Sequence, residues 1–259
     1  MLHKFLLAHG HCTQTAAQFV IIMTHDRREL GMDAIANEIL ANWNDEFNCL
    51  DFERIEDGVL QDTWTAYLKH CPFSDAVGVS KHMELKVFRP GFWDLKTLMK
   101  TVDLQKLRRI NMYKHEHFML LSDKYAREQG AILRRCTLED FTRFSFGPYQ
   151  QWNMKSFRFV IFSGLDPNLW PEELGRLHAV HAPWLIGVLL KFIKKLNVVT
   201  PKTWESIRIF TVAEHEAAKK ELLGVVDAHQ LPEAFGGTKP NDQVLFCGKP
   251  GMYKSSRSR

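Results

Sequence analysis

The apolar stretch RLHAVHAPWLIGVLLKFIKKL, residues 176–196, constrains the fold of this chain more than any other feature. It carries no charge from Ala182 to Leu190, and lysines follow shortly after. A helix needs about 20 apolar residues to cross a bilayer, so this run is too short for a membrane span. Alternation over 176–182 predicts a strand that ends before Pro183. The apolar periodicity that follows predicts a helix over 184–197.

The helix predicted over 184–197 is amphipathic. Its basic stripe consists of Lys191, Lys194 and Lys195, which are spaced i, i+3 and i+4 and therefore share one face. Such a helix suits a membrane surface, where lysines meet phosphates and apolar side chains reach acyl chains. An ordinary core helix with a snorkelling lysine edge has the same pattern. Amphipathicity alone favours the core helix, because most such helices pack on a sheet.

The remaining periodicity predicts an α/β domain with a small helical piece ahead of it. Helices are predicted over 13–30, 33–43, 93–129 and 214–226, with stops at Gly31 and Gly130. Strands are predicted over 131–138, 176–182 and 206–212, while 148–165 fits either a strand or a helix. Residues 44–92 carry turn signals and are interpreted as connecting segments with one or two short strands. Because helices and strands alternate from residue 93 to 226, this part is predicted to be α/β.

Composition and charge argue against several classes of function. The chain has 34 Lys and Arg against 30 Asp and Glu, and its net charge of +4 is dispersed, so no nucleic-acid partner is expected. The five cysteines are widely separated and form no CxxC pair, which is typical of free thiols in a reducing compartment. We therefore expect a cytoplasmic protein.

Neither the histidines nor the acidic residues form a predicted metal or catalytic site. His115 and His117 flank Glu116 on a predicted helix, where residues i and i+2 point to different sides, so we expect a solvated helix face. His178 and His181 are three apart on a predicted strand and are expected on opposite faces of the sheet. No GxSxG, Walker A, GxGxxG or HExxH motif occurs. We therefore predict no enzyme activity, no cofactor and no metal.

An ordered set of landmarks in the second half of the chain resembles the CRAL-TRIO family of lipid-binding proteins. Trp170-Pro171-Glu172 stands where the family has YPE, and His181-Ala182-Pro183 stands where it has NAP. The segment from Leu231-Pro232 to Gly236-Gly237 corresponds to the family's LP-x-x-x-GG. The head of the chain, FLLAHGHCTQTAAQFV, is similar to the helical subdomain that precedes the lipid domain in this family.

The resemblance implies a mixed β-sheet floor covered by helices, with an apolar pocket that holds one lipid. The helix over 184–197 corresponds to the family's gate helix, which swings outward at a membrane to admit and release the ligand. Core packing is an equal alternative for each of the predicted wall residues taken singly. The predicted pocket or gate residues are Phe141, Phe144, Phe146, Glu172, Trp184, Leu185, Ile186, Leu189, Phe192, Ile193, Thr203, Ile207 and Ile209. The predicted membrane contacts are Lys191, Lys194 and Lys195.

Departures from the family pattern concern the head group of the ligand. Thr203 and Glu172 match, but Ser206 stands where phosphoinositide-binding members have a lysine, and FLLAH lacks the basic residues of their early motif. A phosphate group needs charge-assisted partners. A neutral lipid, a sterol-like molecule or an isoprenoid is therefore at least as well supported as a phosphoinositide.

The expected organisation is a partial helical subdomain over 1–43, a lipid-binding domain over 44–240 and a tail or linker over 241–259. Relative to the family, the chain is expected to be shortened at both ends. The predicted function is to bind a hydrophobic lipid and to transfer or present it between membranes, with transient peripheral association. The alternative is a lipid-sensing or protein-interaction module that regulates signalling or traffic without transfer. An enzyme is the least supported option, because no nucleophile–base signature appears.

Overall fold

The structure, a computed structural model, describes residues 4, 6, 11–44, 49–50, 58–71, 73–144, 173–184, 186–188 and 204–241. The chain divides into two units, each discontinuous in sequence. The helical unit comprises Met1–Lys69, Leu95–Leu133 and Pro148–Glu173. The sheet unit comprises His70–Asp94, Arg134–Gly147 and Leu174–Arg259. Residues 95–133 thus group with the head of the chain.

The helical unit is built from helices of very different length. They are α1 (Thr13–Glu29), α2 (Met32–Ala41), all but the last residue of α3 (Gly58–His70), α4 (Leu95–Thr101) and α5 (Leu104–Gln129), with a two-residue pairing of β1 (Trp43–Asn44) and β2 (Cys49–Leu50). Gly31 and Gly130 have φ of 65° and 66°, a left-handed conformation that favours glycine and ends a helix. Both predicted helix stops are therefore confirmed.

A bidentate ion pair joins α1 to α5. Arg27 Nη1 donates to Glu116 Oε2 at 2.8 Å, and Nη2 donates to Oε1 at 2.7 Å. Both side chains are nearly excluded from solvent. The Tyr113 hydroxyl, also on α5, donates to the Glu38 carboxylate on α2. Polar contacts of α5 therefore hold both N-terminal helices.

Two features of this unit differ from the sequence prediction. The single helix predicted over 93–129 is divided into α4 and α5, because Asp103 caps α5 by accepting from the backbone N–H groups of Gln105 and Lys106. The helix α3 lies in a region predicted to be connecting segments. The sequence nevertheless indicates this helix, because the buried residues Leu60, Trp64 and Tyr67 have helical spacing.

The sheet unit contains a mixed five-stranded sheet, as the family resemblance implied. Its strands are β3 (Phe73–Ser80), β4 (Met83–Phe88), β5 (Arg134–Asp140), β6 (Leu174–Val180) and β7 (Ile207–Ile209), in that spatial order. The pair β3–β4 is antiparallel, and the other three pairings are parallel. All three strands predicted after residue 130 are present, with their ends shifted by one to three residues.

One face of this sheet, the helix-covered face, packs on α6 (His215–Val225). Its buried core consists of Leu85, Val87, Cys136, Leu138 and Val180 from the strands together with Ala218, Leu222, Val226, Leu231 and Phe235. Side chains alternate along a strand, so the intervening residues, such as Leu177 and Ala179, point to the opposite, second face.

The double glycine at the end of this core has a steric cause. A Cβ atom on Gly237 would lie 1.8 Å from the Leu231 carbonyl oxygen, so no larger residue fits there. Gly236 has a φ of 90°, which side chains rarely tolerate. The family landmark Leu231 to Gly237 therefore marks a tight closure of the chain against α6.

Candidate functional site

An apolar cluster lies where β5 and β6 end at the same edge of the sheet. Its buried members are Phe141, Ala179, Ala182 and Ile186, and Phe144 and Leu177 pack against them. The rings of Phe141 and Phe144 meet edge to face, with centroids 5.2 Å apart. Parallel strands bring their carboxyl ends together, which explains why residues far apart in sequence share this cluster.

The segment that follows β6, the gate segment, comprises residues 182–184 and 186–188. Its start is tied to the sheet, because Ala182 N–H donates to the Phe210 carbonyl at 2.9 Å. Trp184 and residues 186–188 are helical, and Ile186 N–H donates to the Pro183 carbonyl. Ile186 is buried, whereas Trp184 is 76% exposed and Val188 is 47% exposed. The segment therefore seats one apolar side chain in the cluster and presents two others to solvent.

The structure brings together some of the predicted site residues. Phe141, Phe144 and Ile186 share the apolar cluster. Ile207 and Ile209 pair in register with Leu177 and Ala179, so they continue the second face, where Ile209 is 37% exposed. The predicted residues Phe146, Glu172, Leu185, Leu189, Phe192, Ile193, Thr203, Lys191, Lys194 and Lys195 lie outside the described residues.

A buried ion network on the second face was not predicted. Arg135 Nε donates to Glu84 Oε2 at 3.1 Å, and Lys86 Nζ lies 4.0 Å from the same oxygen. All three side chains, and neighbouring Thr137, are buried. The sequence of β4, MELKVF, does not predict this buried network, because a charged residue at every second position normally indicates a solvated face.

Glu139 also lies on the second face, with Phe88 and Ala179 as its register partners. Burial disfavours its charged form and raises the pKa of this carboxyl to about 7. Near neutral pH, Glu139 is therefore a mixture of carboxylic acid and carboxylate.

A polar cluster adjoins the apolar one at the end of β6. His181 Nδ1 lies 2.9 Å from Asp140 Oδ1 and 2.9 Å from Thr142 Oγ1, and His181 Nε2 lies 2.9 Å from His215 Nδ1. Arg89 Nε donates to the other Asp140 oxygen at 3.1 Å. These contacts join the ends of β5 and β6 to the first residue of α6.

The ionised form of Asp140 is strongly favoured in this cluster. Burial acts to raise its pKa, but the hydrogen bonds from His181 and Thr142, with the charge of Arg89, outweigh burial and lower the pKa to about 2. Asp140 therefore carries its negative charge throughout the range in which histidines titrate.

The expectation for His178 and His181 was wrong. Both approach α6, His178 with Nε2 3.3 Å from Glu221 Oε1 and His181 through His215. The strand ends at Val180, and His181 adopts a left-handed φ of 53°, which interrupts the alternation of side chains.

The expectation for residues 115–117 was also wrong. Glu116 and His117 are buried, and His115 Nδ1 lies 2.6 Å from Glu173 Oε2. The helix α5 has neighbours on several sides, and the Trp43 ring stacks on His117 at 4.7 Å.

Cys136, His178 and Glu221 stand in the order of a nucleophile, a base and an orienting acid. Cys136 Sγ is 3.9 Å from His178 Nδ1. The thiol is fully buried, and burial raises its pKa to about 12. A reactive cysteine needs a stabilised thiolate and access to substrate, and this position offers neither. The arrangement is therefore part of the core on the helix-covered face.

The described part of the chain has neither a metal cluster nor a membrane-spanning helix. There, no group of three or more His, Cys, Asp or Glu side chains could hold a metal ion. No helix among the same residues combines the length and apolar character that a membrane crossing requires. Cys12, Cys71 and Cys136 carry free thiols.

Comparisons with known proteins bear on both the fold and the family. The family model for the CRAL/TRIO domain matches residues 82–237. The crystal structure of Sfh5 is similar, with a TM-score of 0.50 and 14% sequence identity over 94% of this chain and 72% of that chain. At that identity, the similarity shows a shared fold. A comparison with curated proteins gave no match.

Proposed function

Because the chain belongs to the CRAL/TRIO family, whose members bind hydrophobic lipid ligands, we propose that it carries a lipid molecule and transfers or presents it at membranes. The observation that carries this proposal is the gate segment. Ile186 is buried in the apolar cluster beside Phe141, while Trp184 and Val188 of the same segment are exposed. A short segment with apolar groups on both sides suits movement between a protein interior and a membrane interface, where tryptophan is favoured.

Transfer of this kind needs no catalytic residue. Burying a lipid chain gains about 0.8 kcal/mol per CH₂ group, so its passage through water is the barrier to spontaneous exchange. A protein that shields the chain lowers this barrier without making or breaking a bond. The predicted pocket residues, including Leu189, Phe192 and Ile193, supply apolar contact in this proposal, and Lys191, Lys194 and Lys195 meet lipid phosphates.

A neutral ligand is at least as well supported as an anionic one. The second face offers an anionic head group two buried cations, Lys86 and Arg135, but also the carboxyl groups of Glu84 and Glu139. Ser206 stands where a lysine would assist phosphate binding. We therefore propose a sterol-like, isoprenoid or other neutral lipid.

The first test identifies the ligand and measures its movement. Native mass spectrometry of the purified protein identifies the bound lipid, and transfer of that lipid between phosphatidylcholine vesicles is then followed. The variant L189D/F192D is expected to abolish transfer, because charged side chains oppose both closure and membrane entry. Trp184→Ala is expected to slow transfer severalfold while the amount of bound lipid stays the same.

A matched control separates the gate segment from exposed apolar surface in general. Ile21 on α1 is 71% exposed, close to the value of Trp184, so Ile21→Ala should leave transfer unchanged. Protein purified without lipid that also fails to take lipid from vesicles would disprove lipid binding. Bound lipid without transfer by the wild-type protein would favour the lipid-sensing alternative. Normal transfer by L189D/F192D would refute the role of the gate.

A further inference from the structure

His181 and His215 form a direct hydrogen bond between two imidazole rings. His181 Nε2 and His215 Nδ1 are 2.9 Å apart, and the ring centroids are 4.8 Å apart. The opposite nitrogen of His181 faces the Asp140 carboxylate. A nitrogen-to-nitrogen bond of this length contains one proton, because one ring must donate and the other must accept.

The number of protons on the pair decides whether this bond exists. With both rings neutral, His181 donates through Nδ1 to Asp140 and accepts at Nε2 from His215. One added proton leaves the bond intact, since either ring can then act as the donor. With two added protons, both facing nitrogens carry hydrogen, and two positive charges lie at hydrogen-bond distance. The bond between the rings is then lost.

We propose that His181 and His215 act as a proton-operated latch, which holds the start of the gate segment and releases it when both rings are protonated. The latch residue His181 directly precedes Ala182 and Pro183, and Ala182 belongs to the apolar cluster together with Ile186. His181 has a left-handed φ of 53°, a strained conformation for a residue with a side chain. Contacts on both ring nitrogens hold it there, so loss of one contact favours relaxation of the segment.

Burial and the surrounding charges place the protonation of His215 on the acidic side of the ordinary histidine range. Asp140 at the end of β5, which is paired with Arg89, faces Nδ1 of His181. Burial first, and then Lys219 and His181, lower the pKa of His215, whereas Glu216 and Asp140 act in the opposite direction and are outweighed. The N-terminus of α6, where His215 lies, also disfavours a positive charge. Because His215 must be protonated for release, the latch opens only in mildly acidic conditions.

This inference rests on the proposed function, because the latch controls a segment that serves as a lipid gate only if lipid is carried. A lower pH, such as that close to an anionic membrane surface, would open the gate where release is needed. The structural step itself, loosening of the gate segment, is independent of any ligand and can be measured separately.

Hydrogen exchange tests the latch without lipid. In wild-type protein, protection of the Ala182 and Ile186 amides, corrected for intrinsic exchange, should fall about tenfold between pH 7 and pH 5, the factor that one pKa unit of coupling represents. His215→Gln retains a hydrogen-bonding group without a titratable proton, so the pH response should disappear. His229 is exposed in the same unit, and His229→Gln should respond like the wild type.

The outcomes separate the latch from the proposed function. A pH response in His215→Gln equal to that of the wild type would overturn the latch, as would no response in the wild type. If His215→Gln does not fold, ¹⁵N titration of the wild-type histidine rings decides: two coupled steps support the latch, and two independent titrations refute it. A latch response in a protein that never carries lipid would refute the proposed function alone.

Discussion

Glu139 shows how the position of one side chain sets a property of the folded state. Its neighbours on the second face include Phe88 and Ala179, and burial raises its pKa to about 7 from an ordinary value of 4.5. The folded state therefore binds this proton more tightly than the unfolded chain. The contribution of this proton to the free energy of unfolding is fully present below pH 4.5 and is lost as the pH rises through about 7.

We expect Glu139→Gln to remove this pH dependence. As the pH rises from 5 to 8, the free energy of unfolding of the wild type should fall relative to that of the variant. Urea denaturation measures both values. Glu128→Gln at the exposed end of α5 serves as the control and should follow the wild type. A difference that stays constant across this range would show that the Glu139 carboxyl titrates normally.

Residues 115–117 show where reasoning from a residue's own sequence neighbours fails. The spacing of His115 and His117 led to the expectation of a solvated face, which was wrong. Glu116 is buried because Arg27, 89 residues earlier in the chain, supplies a matching charge. The spacing of residues within one helix does not predict a partner that lies so far away in the sequence.

At the scale of elements, the ion pair between α1 and α5 is the contact whose loss has the clearest consequence. Glu116→Gln leaves the buried guanidinium of Arg27 without its carboxylate, and removal of one partner from a buried pair costs about 3–5 kcal/mol. We expect a loss of that order in the stability of the helical unit, measured by urea denaturation, with faster hydrogen exchange in α1.

The matched control is the exposed pair of Asp123 and Arg127 on the same helix, with a separation of 2.8 Å. Asp123→Asn should cost less than about 1 kcal/mol, because solvent screens exposed pairs. Equal losses for Asp123→Asn and Glu116→Gln would show that burial of Arg27 and Glu116 adds nothing.

Helix ends could be predicted from the sequence where the conformation of a single residue sets them. Gly31 and Gly130 were recognised as helix stops because a left-handed residue is needed there. The cap at Asp103 was missed because apolar residues continue to recur every four or five positions across the break, and Leu98, Val102 and Leu107 are all buried. Periodicity therefore predicted one helix where a cap begins a second.

At the scale of the whole molecule, ligand occupancy should contribute to stability. A ligand that binds only the folded state adds about 2.7 kcal/mol when its free concentration is 100 times Kd. We expect removal of bound lipid to lower the melting temperature, with faster hydrogen exchange at Phe141 and Ile186, and addition of the same lipid to restore both. Identical melting with and without lipid would contradict occupancy of an internal site.

The sequence by itself determined the order of landmarks, the strands after residue 130 and the family, because alternation, turn residues and the Gly236-Gly237 closure act over short distances along the chain. The tertiary structure alone decided the partners of buried polar groups. His181 meets Asp140 and His215 only because parallel strands end together beside the start of α6. The network of Glu84 and Arg135 likewise joins neighbouring strands 51 residues apart. Burial and pairing depend on such distant contacts, which periodicity along the chain does not encode.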